Sequence, residues 1–269
     1  MPANVMTPLG LAQEALDTLC PLGVQVAVRE RGWLEAQRMG ALLAAARGSC
    51  EPPALLECAL RPPGAGARPP VLLAAKGVTF DSGGLCLKRA SDMSENRGSM
   101  AGAAVVLAAL RCLALAQVPL NVSAVIPLCE NMVSGQCMRV GDVVTALNGT
   151  SIQIEDTDME GRLLLADALL YGQALHRPAL VVDVATLTRD PSVDLRNRGS
   201  GSATACAGAA FLKNFICTDW VHLDITGVGK LAHARAPPYL SARRMTGRPT
   251  RTLATFLMNM AQQDQCKTA

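Results

Sequence analysis

Val71-Leu-Leu-Ala-Ala-Lys-Gly-Val-Thr-Phe-Asp-Ser-Gly-Gly84 is the stretch that decides how this chain is read. It opens with five apolar residues between prolines and a glycine-rich segment. That length and those boundaries suit a strand buried on both faces. The segment that follows, Lys76 to Gly84, puts charged and polar side chains among glycines. A strand that ends in such a turn lets backbone and side chains approach a ligand closely.

Outward from this stretch, helix-like and strand-like segments alternate, which predicts an α/β layered fold. Upstream, Thr7 is a candidate helix cap with Pro8 in the first turn, and the helix is expected to run to about Cys20. Val24 to Val28 reads as a short strand, Leu34 to Ala46 as one helix and Pro62 to Pro70 as a loop. Downstream, Met100 to Ala114 is small and apolar nearly all round, as a buried helix is. Val122 to Ile126, Leu180 to Thr186 and Trp220 to Ile225 read as strands. Arg162 to Ala174, Ala205 to Phe215 and Arg251 to Met260 read as helices. Val143 to Ile154 reads as a hairpin turning at Asn148-Gly149.

Composition narrows the function classes. Half of the 269 residues are hydrophobic, enough for one large domain or two small ones. The net charge is only +3, the basic residues are scattered and aromatic residues make up 3%. Neither a basic arm nor a stacking platform for bases is present, so nucleic acid is not an expected partner. No uninterrupted apolar run reaches the ~20 residues of a membrane span, so no membrane partner is expected either. The ten cysteines are spread along the chain without a CxxC pair, mostly among apolar neighbours, as in a reduced cytoplasmic protein.

Two stretches concentrate the groups that could do chemistry. One is Lys76 to Gly84 with Asp81, followed by Lys88; the other is Glu155-Asp-Thr-Asp-Met-Glu-Gly-Arg162. Each has a plain structural reading. Asp81-Ser-Gly-Gly is compatible with a simple turn, and carboxylates before a helix favour its N-terminus without any further role. A phosphate site at the glycine-rich turn lacks the usual GxxxxGK[ST] or GxGxxG pattern.

Together the two stretches are far more specific. Lys76-Gly-Val-Thr-Phe-Asp-Ser-Gly-Gly and Asp156-Thr-Asp-Met-Glu-Gly-Arg-Leu resemble the two signatures of the leucyl (cytosol) aminopeptidase family. Further similar stretches follow in the family's order: Pro127-Leu-Cys-Glu-Asn-Met, Leu165-Ala-Asp-Ala-Leu, Ala185-Thr-Leu-Thr, His222-Leu-Asp-Ile-Thr-Gly and Met245-Thr-Gly-Arg-Pro-Thr-Arg. The resemblance implies a three-layer α/β/α catalytic domain with a mixed central sheet, spanning residues 1–269 without the family's N-terminal domain. It implies two divalent ions, manganese or zinc, and a bicarbonate. By motif position Asp81 and Glu160 would bridge the ions, Asp158 would bind one ion and Lys76 the other. Lys88 would polarise the scissile carbonyl and Arg162 would hold the bicarbonate. Thr186, Leu187 and Thr188 would line the substrate cleft. Peptides with apolar N-terminal residues would be the substrates, and the assembly would be a homo-oligomer, a hexamer as in the family.

The sequence also departs from that pattern. The family's further metal-binding aspartate falls on Ser99, within Arg97-Gly-Ser-Met-Ala-Gly. A neutral hydroxyl is a poor substitute for an anionic oxygen ligand, so one ion would be held weakly. Glu95 is close in sequence. Asp156 stands in place of an asparagine and Met159 in place of an alanine. After Thr188 the chain passes at once to Arg189-Asp-Pro, so a segment of the family is expected to be missing there. Two functions therefore stand: a working aminopeptidase, or an inactive relative serving as a structural or assembly subunit.

Overall fold

Thr7 begins the first element as its sequence predicts. Its hydroxyl accepts the Gly10 N–H at 3.2 Å, and α1 runs Pro8–Leu19. The computed structural model describes residues 1–187, 204–226, 228 and 246–268. After α1 come β1 (Gln25–Glu30), α2 (Arg31–Ala36), α3 (Gly40–Ala46) and β2 (Ala54–Leu60). Next are β3 (Val71–Ala75), β4 (Gly77–Asp81), the short α4 (Ala90–Met93), a 3-10 turn (Asn96–Met100) and α5 (Ala101–Leu115). They lead into β5 (Val122–Asn131), the hairpin β6 (Val143–Thr145) and β7 (Ser151–Gln153), and α6 (Glu160–His176). β8 (Leu180–Ala185), α7 (Thr204–Lys213), β9 (Asp219–Asp224) and α8 (Thr250–Thr268) complete the described elements.

The main sheet has the order β1-β2-β5-β3-β8-β9, with β4 also pairing β5. β1/β2 and β2/β5 are antiparallel; β5, β3, β8 and β9 run parallel to one another. The sheet is therefore mixed, as expected. One face buries Leu11, Leu19, Val105, Leu110, Leu113 and Leu257, from α1, α5 and α8. The other buries Leu42, Leu163, Leu169 and Phe211, from α3, α6 and α7. This is the three-layer α/β/α architecture. The stretch Asn96–Leu115 has the length and apolarity of a membrane-crossing helix. Only half of it is buried: Val105 and Leu110 pack fully buried against the sheet, while Leu115 at its end is exposed.

Three local readings are corrected. Leu34–Ala46 is not one helix: α2 and α3 are separated by Arg38 at φ +60° and by Gly40, whose missing Cβ leaves room for the Thr145 carbonyl. The break exposes the first N–H groups of α3, and Asp167 accepts those of Ala41 and Leu42 at 2.9 and 3.0 Å. β2 was not expected at all. Its Ala-Leu-Leu-Glu-Cys-Ala-Leu run shows neither strict alternation nor β-branched residues, and pairing on both sides makes it a strand. The glycine-rich segment after Lys76 is not a turn throughout, since Gly77–Asp81 adds β4 to the far end of β5 with an irregularity between Val78 and Phe80.

Candidate metal centre

The site is assembled at the carboxyl ends of the parallel strands, where open α/β sheets hold their ligands. Lys76 follows β3, Asp81 ends β4 and Thr186 follows β8. Asp158 and Glu160 arrive from the N-terminus of α6. Asp81, Asp158 and Glu160 each offer a carboxylate oxygen, and these oxygens lie within 4.8 Å of one another. The two stretches singled out in the sequence thus meet in space.

Two lysines sit among the three acids. Lys76 Nζ is 2.7 Å from Glu160 Oε1 and donates to the Thr186 carbonyl at 3.2 Å. Lys88 Nζ pairs with Asp81 Oδ2 at 3.0 Å and also with Asp158. Gly161 is required by Lys76, because a Cβ there would come within 2.7 Å of Lys76 Cδ.

The electrostatics follow from crowding like charges away from water. Burial, reinforced by the charge of Asp81, pushes the Glu160 carboxyl up to about 7. Asp158 is raised by burial and by Asp81, against the opposing pull of Lys88. Burial lowers the Lys76 ammonium, but Glu160 and Asp81 outweigh it and leave it raised. Glu160 is fully buried, and neither of its oxygens accepts a well-directed hydrogen bond. Buried carboxyl oxygens that accept no well-directed hydrogen bond, clustered with two further carboxylates, are a donor set that fits a hard or borderline divalent ion.

The carboxylates are held by groups whose part was not read from the sequence. Asn131 Nδ2 donates to Asp81 Oδ1 at 3.0 Å and to the Thr157 carbonyl at 2.9 Å, joining the two stretches. Thr157 Oγ1 donates to the Gly83 carbonyl at 2.7 Å and accepts the Cys86 N–H at 2.8 Å. The Gly83 N–H donates to Asp81 Oδ1 at 2.9 Å. Gly83 and Gly84 have φ of +89° and +67°, which glycine alone adopts freely. The signal for Asn131 was its place in Pro127-Leu-Cys-Glu-Asn, a stretch singled out only for its resemblance.

A cavity of about 120 Å³ adjoins the acids. Ser99, on the 3-10 turn before α5, lines it together with Glu95 and Asn96. Thr186 and Leu187 line it too; Thr188 lies outside the described residues. Arg162 also borders the cavity, nearly buried, with its guanidinium lowered by desolvation while Glu160, Asp156 and Asp224 counter that effect.

Comparison with known proteins bears on this geometry. A sequence profile of the cytosol aminopeptidase family, catalytic domain, matches residues 1–193 and 189–254. The cytosol aminopeptidase of Xenopus tropicalis is 39% identical over 319 residues, covering 98% of this chain and 61% of that protein. That of Bos taurus is 36% identical over 315 residues, covering 97% and 60%. The chain thus spans about 60% of the length of these relatives. Because 98% of this chain supplies only about 264 residues, about 55 of the 319 aligned positions have no counterpart in it. Among solved structures, the bottromycin maturation enzyme BotP in complex with Mn superposes with a TM-score of 0.87 at 32% identity, covering 97% of this chain and 68% of BotP. This chain belongs to the cytosol aminopeptidase family, and it carries that family's catalytic domain.

Proposed function

We propose that this chain is a metal-dependent aminopeptidase that removes apolar, leucine-like residues from the N-termini of peptides. The observation that carries this reading is the meeting of Asp81, Asp158 and Glu160 within 4.8 Å beside Lys76 and Lys88. Membership of the family and the manganese in the BotP complex support divalent-ion binding. Asp81 and Glu160 would be shared between two ions of manganese or zinc, because two dications about 3.5–4 Å apart need common negative charge between them. Asp158 would hold one ion and Lys76, once its proton is displaced, the other. Bound ions would supply an activated water for attack on the first peptide bond.

The remaining steps belong to side chains of this chain. Lys88, buried beside Asp81 and Asp158, would donate from Nζ to the scissile carbonyl oxygen as negative charge develops there. Arg162 would hold a bicarbonate through its guanidinium, an anion whose chemistry when bound would be that of a general base. Thr186, Leu187 and Thr188 would line the cleft for the substrate's first residue. We place the protein in the cytoplasm, as the name of its relatives suggests, in a homo-oligomer, a hexamer by family resemblance.

Two features set this chain apart within that reading. Ser99 lines the cavity where the resemblance places an aspartate, so one of the two ions would be held more weakly. The division of the profile match into two segments overlapping at 189–193 and the unmatched positions of the relatives support an internal shortening after about residue 188. They favour the second reading, an inactive member serving as a structural or assembly subunit. Metal analysis of the purified protein, joined to leucine-amide hydrolysis in added manganese, separates the two. The enzyme reading expects bound metal and hydrolysis that Asp81→Ala abolishes. Metal-free protein without hydrolysis at saturating manganese would establish the subunit reading instead.

A further inference from the structure

Arg162 is 3% exposed, yet its guanidinium is poorly satisfied. Nε has no hydrogen-bond partner, and among the described residues no carboxylate lies within 4 Å of the side chain. Nη2 donates to the thioether sulfur of Met159 at 3.3 Å. The ring of Phe211 lies 5.9 Å from Cζ, and a Cβ at Gly208 would lie 3.9 Å from Nη2. A thioether is a weak acceptor and a ring face a diffuse one, whereas a buried guanidinium has five donors shaped for a planar oxyanion. Met159 itself is 7% exposed, precedes α6 as its cap residue and lines the same cavity as Arg162.

We propose that Met159 sets the strength of small-oxyanion binding at Arg162, by filling with its side chain the space in front of Nη2 that a second anion oxygen would take. Nε and the cavity remain to the anion, so binding is through one edge atom instead of a fork. The inference rests on the reading of Arg162 as an anion holder, and adds the residue that limits it. The bulk of Met159 matters more than its sulfur: a guanidinium that trades a thioether for a carboxylate-type oxygen gains a charge-assisted hydrogen bond.

The test titrates the purified protein with ¹³C-labelled bicarbonate at fixed pH and ionic strength, reading the dissociation constant from ¹³C line broadening. Met159→Ala is expected to bind on the order of tenfold more tightly than the natural chain, the worth of one hydrogen bond to a charged group. Met159→Leu keeps the volume and is expected to show no gain. Adding Arg162→Met to Met159→Ala is expected to remove the gain. The proposal is overturned if Met159→Ala binds within twofold of the natural chain, if Met159→Leu tightens as much as Met159→Ala, or if the gain survives without Arg162. Thermal melts check that each variant folds; Met159→Val, expected to give an intermediate gain, serves if the alanine variant does not. The readout is an affinity, not turnover. A chain without peptidase activity can therefore still bear out the proposal, and an active one can still refute it.

Discussion

Glu160 and Asp167 lie on one helix, two turns apart, and both are fully buried. Burial raises both carboxyls, Glu160 to about 7 and Asp167 to about 6. Their surroundings differ in kind. Asp167 accepts three backbone N–H groups: Ala41 and Leu42 at the start of α3, and Leu147 between β6 and β7 at 2.8 Å. Glu160 accepts no well-directed hydrogen bond and faces two further acids and Lys76. The first carboxylate ties together elements far apart in the chain, and the second leaves its oxygens to a ligand. Two acids of equal burial are told apart by what their oxygens touch.

The largest expected effect breaks the structural member of the pair. Asp167→Ala strands three buried N–H groups and should destabilise the fold by about 3–5 kcal/mol, at 1–3 kcal/mol for each unsatisfied donor with partial relaxation. Urea unfolding measures it. Glu160→Gln should change stability far less, by about 1 kcal/mol or less, since it removes a buried charge as well as a partner of Lys76. Equal losses from the two substitutions would refute the distinction between them.

pH sharpens the same contrast. The Asp167 carboxyl is raised in the folded state, by burial against the opposing pull of its three N–H donors. The folded protein therefore holds this proton more tightly than the unfolded chain. Its contribution is fully present below the unfolded value of ~3.9, falls as pH rises toward about 6, and is level above that. Against Asp167→Asn, which cannot titrate, the stability of the natural chain should decline by about 2 kcal/mol between pH 4 and pH 7. A flat difference would show that the folded carboxyl is not raised.

Two smaller effects concern the metal-centre side. Asn131→Ala removes the amide that holds Asp81 and the Thr157 carbonyl, and should weaken divalent-ion binding about 10- to 100-fold, as loss of a ligand's support does. Calorimetric titration with manganese reads it, and an unchanged affinity would mean that the glycine turn alone orients Asp81. Ser99→Asp adds a carboxylate to the cavity wall and should raise affinity for the weaker ion about tenfold, roughly 1.4 kcal/mol. No change there would mean that residue 99 does not reach the ions.

Much of this was legible in the chain. The strands after Val71 and Leu180, the cap at Thr7 and the buried helix from Ala101 follow from apolar runs, a hydroxyl before a proline, and small residues without a polar face. Lys76, Asp81, Lys88, Asp158, Glu160 and Arg162 were picked out as chemical groups; the fold brings five of them around one cavity, and Glu160 clusters with Asp81 and Asp158. β2 and β4 were illegible because their strand character comes from neighbours, not from their own residues. The break between α2 and α3 was illegible because the group that accepts its freed N–H groups, Asp167, is 125 residues away from Leu42.

Local patterning by itself determined where most elements form and which polar residues stand at their ends, because periodicity, caps and glycine turns act over a few residues. Only the tertiary structure decided which buried acid braces the fold and which leaves its oxygens without well-directed hydrogen bonds beside two further acids. It also set Asn131 between two distant stretches, and put the Met159 thioether against Arg162. Those outcomes depend on hydrogen-bond partners and desolvation supplied by residues remote in the chain, and no local pattern carries them.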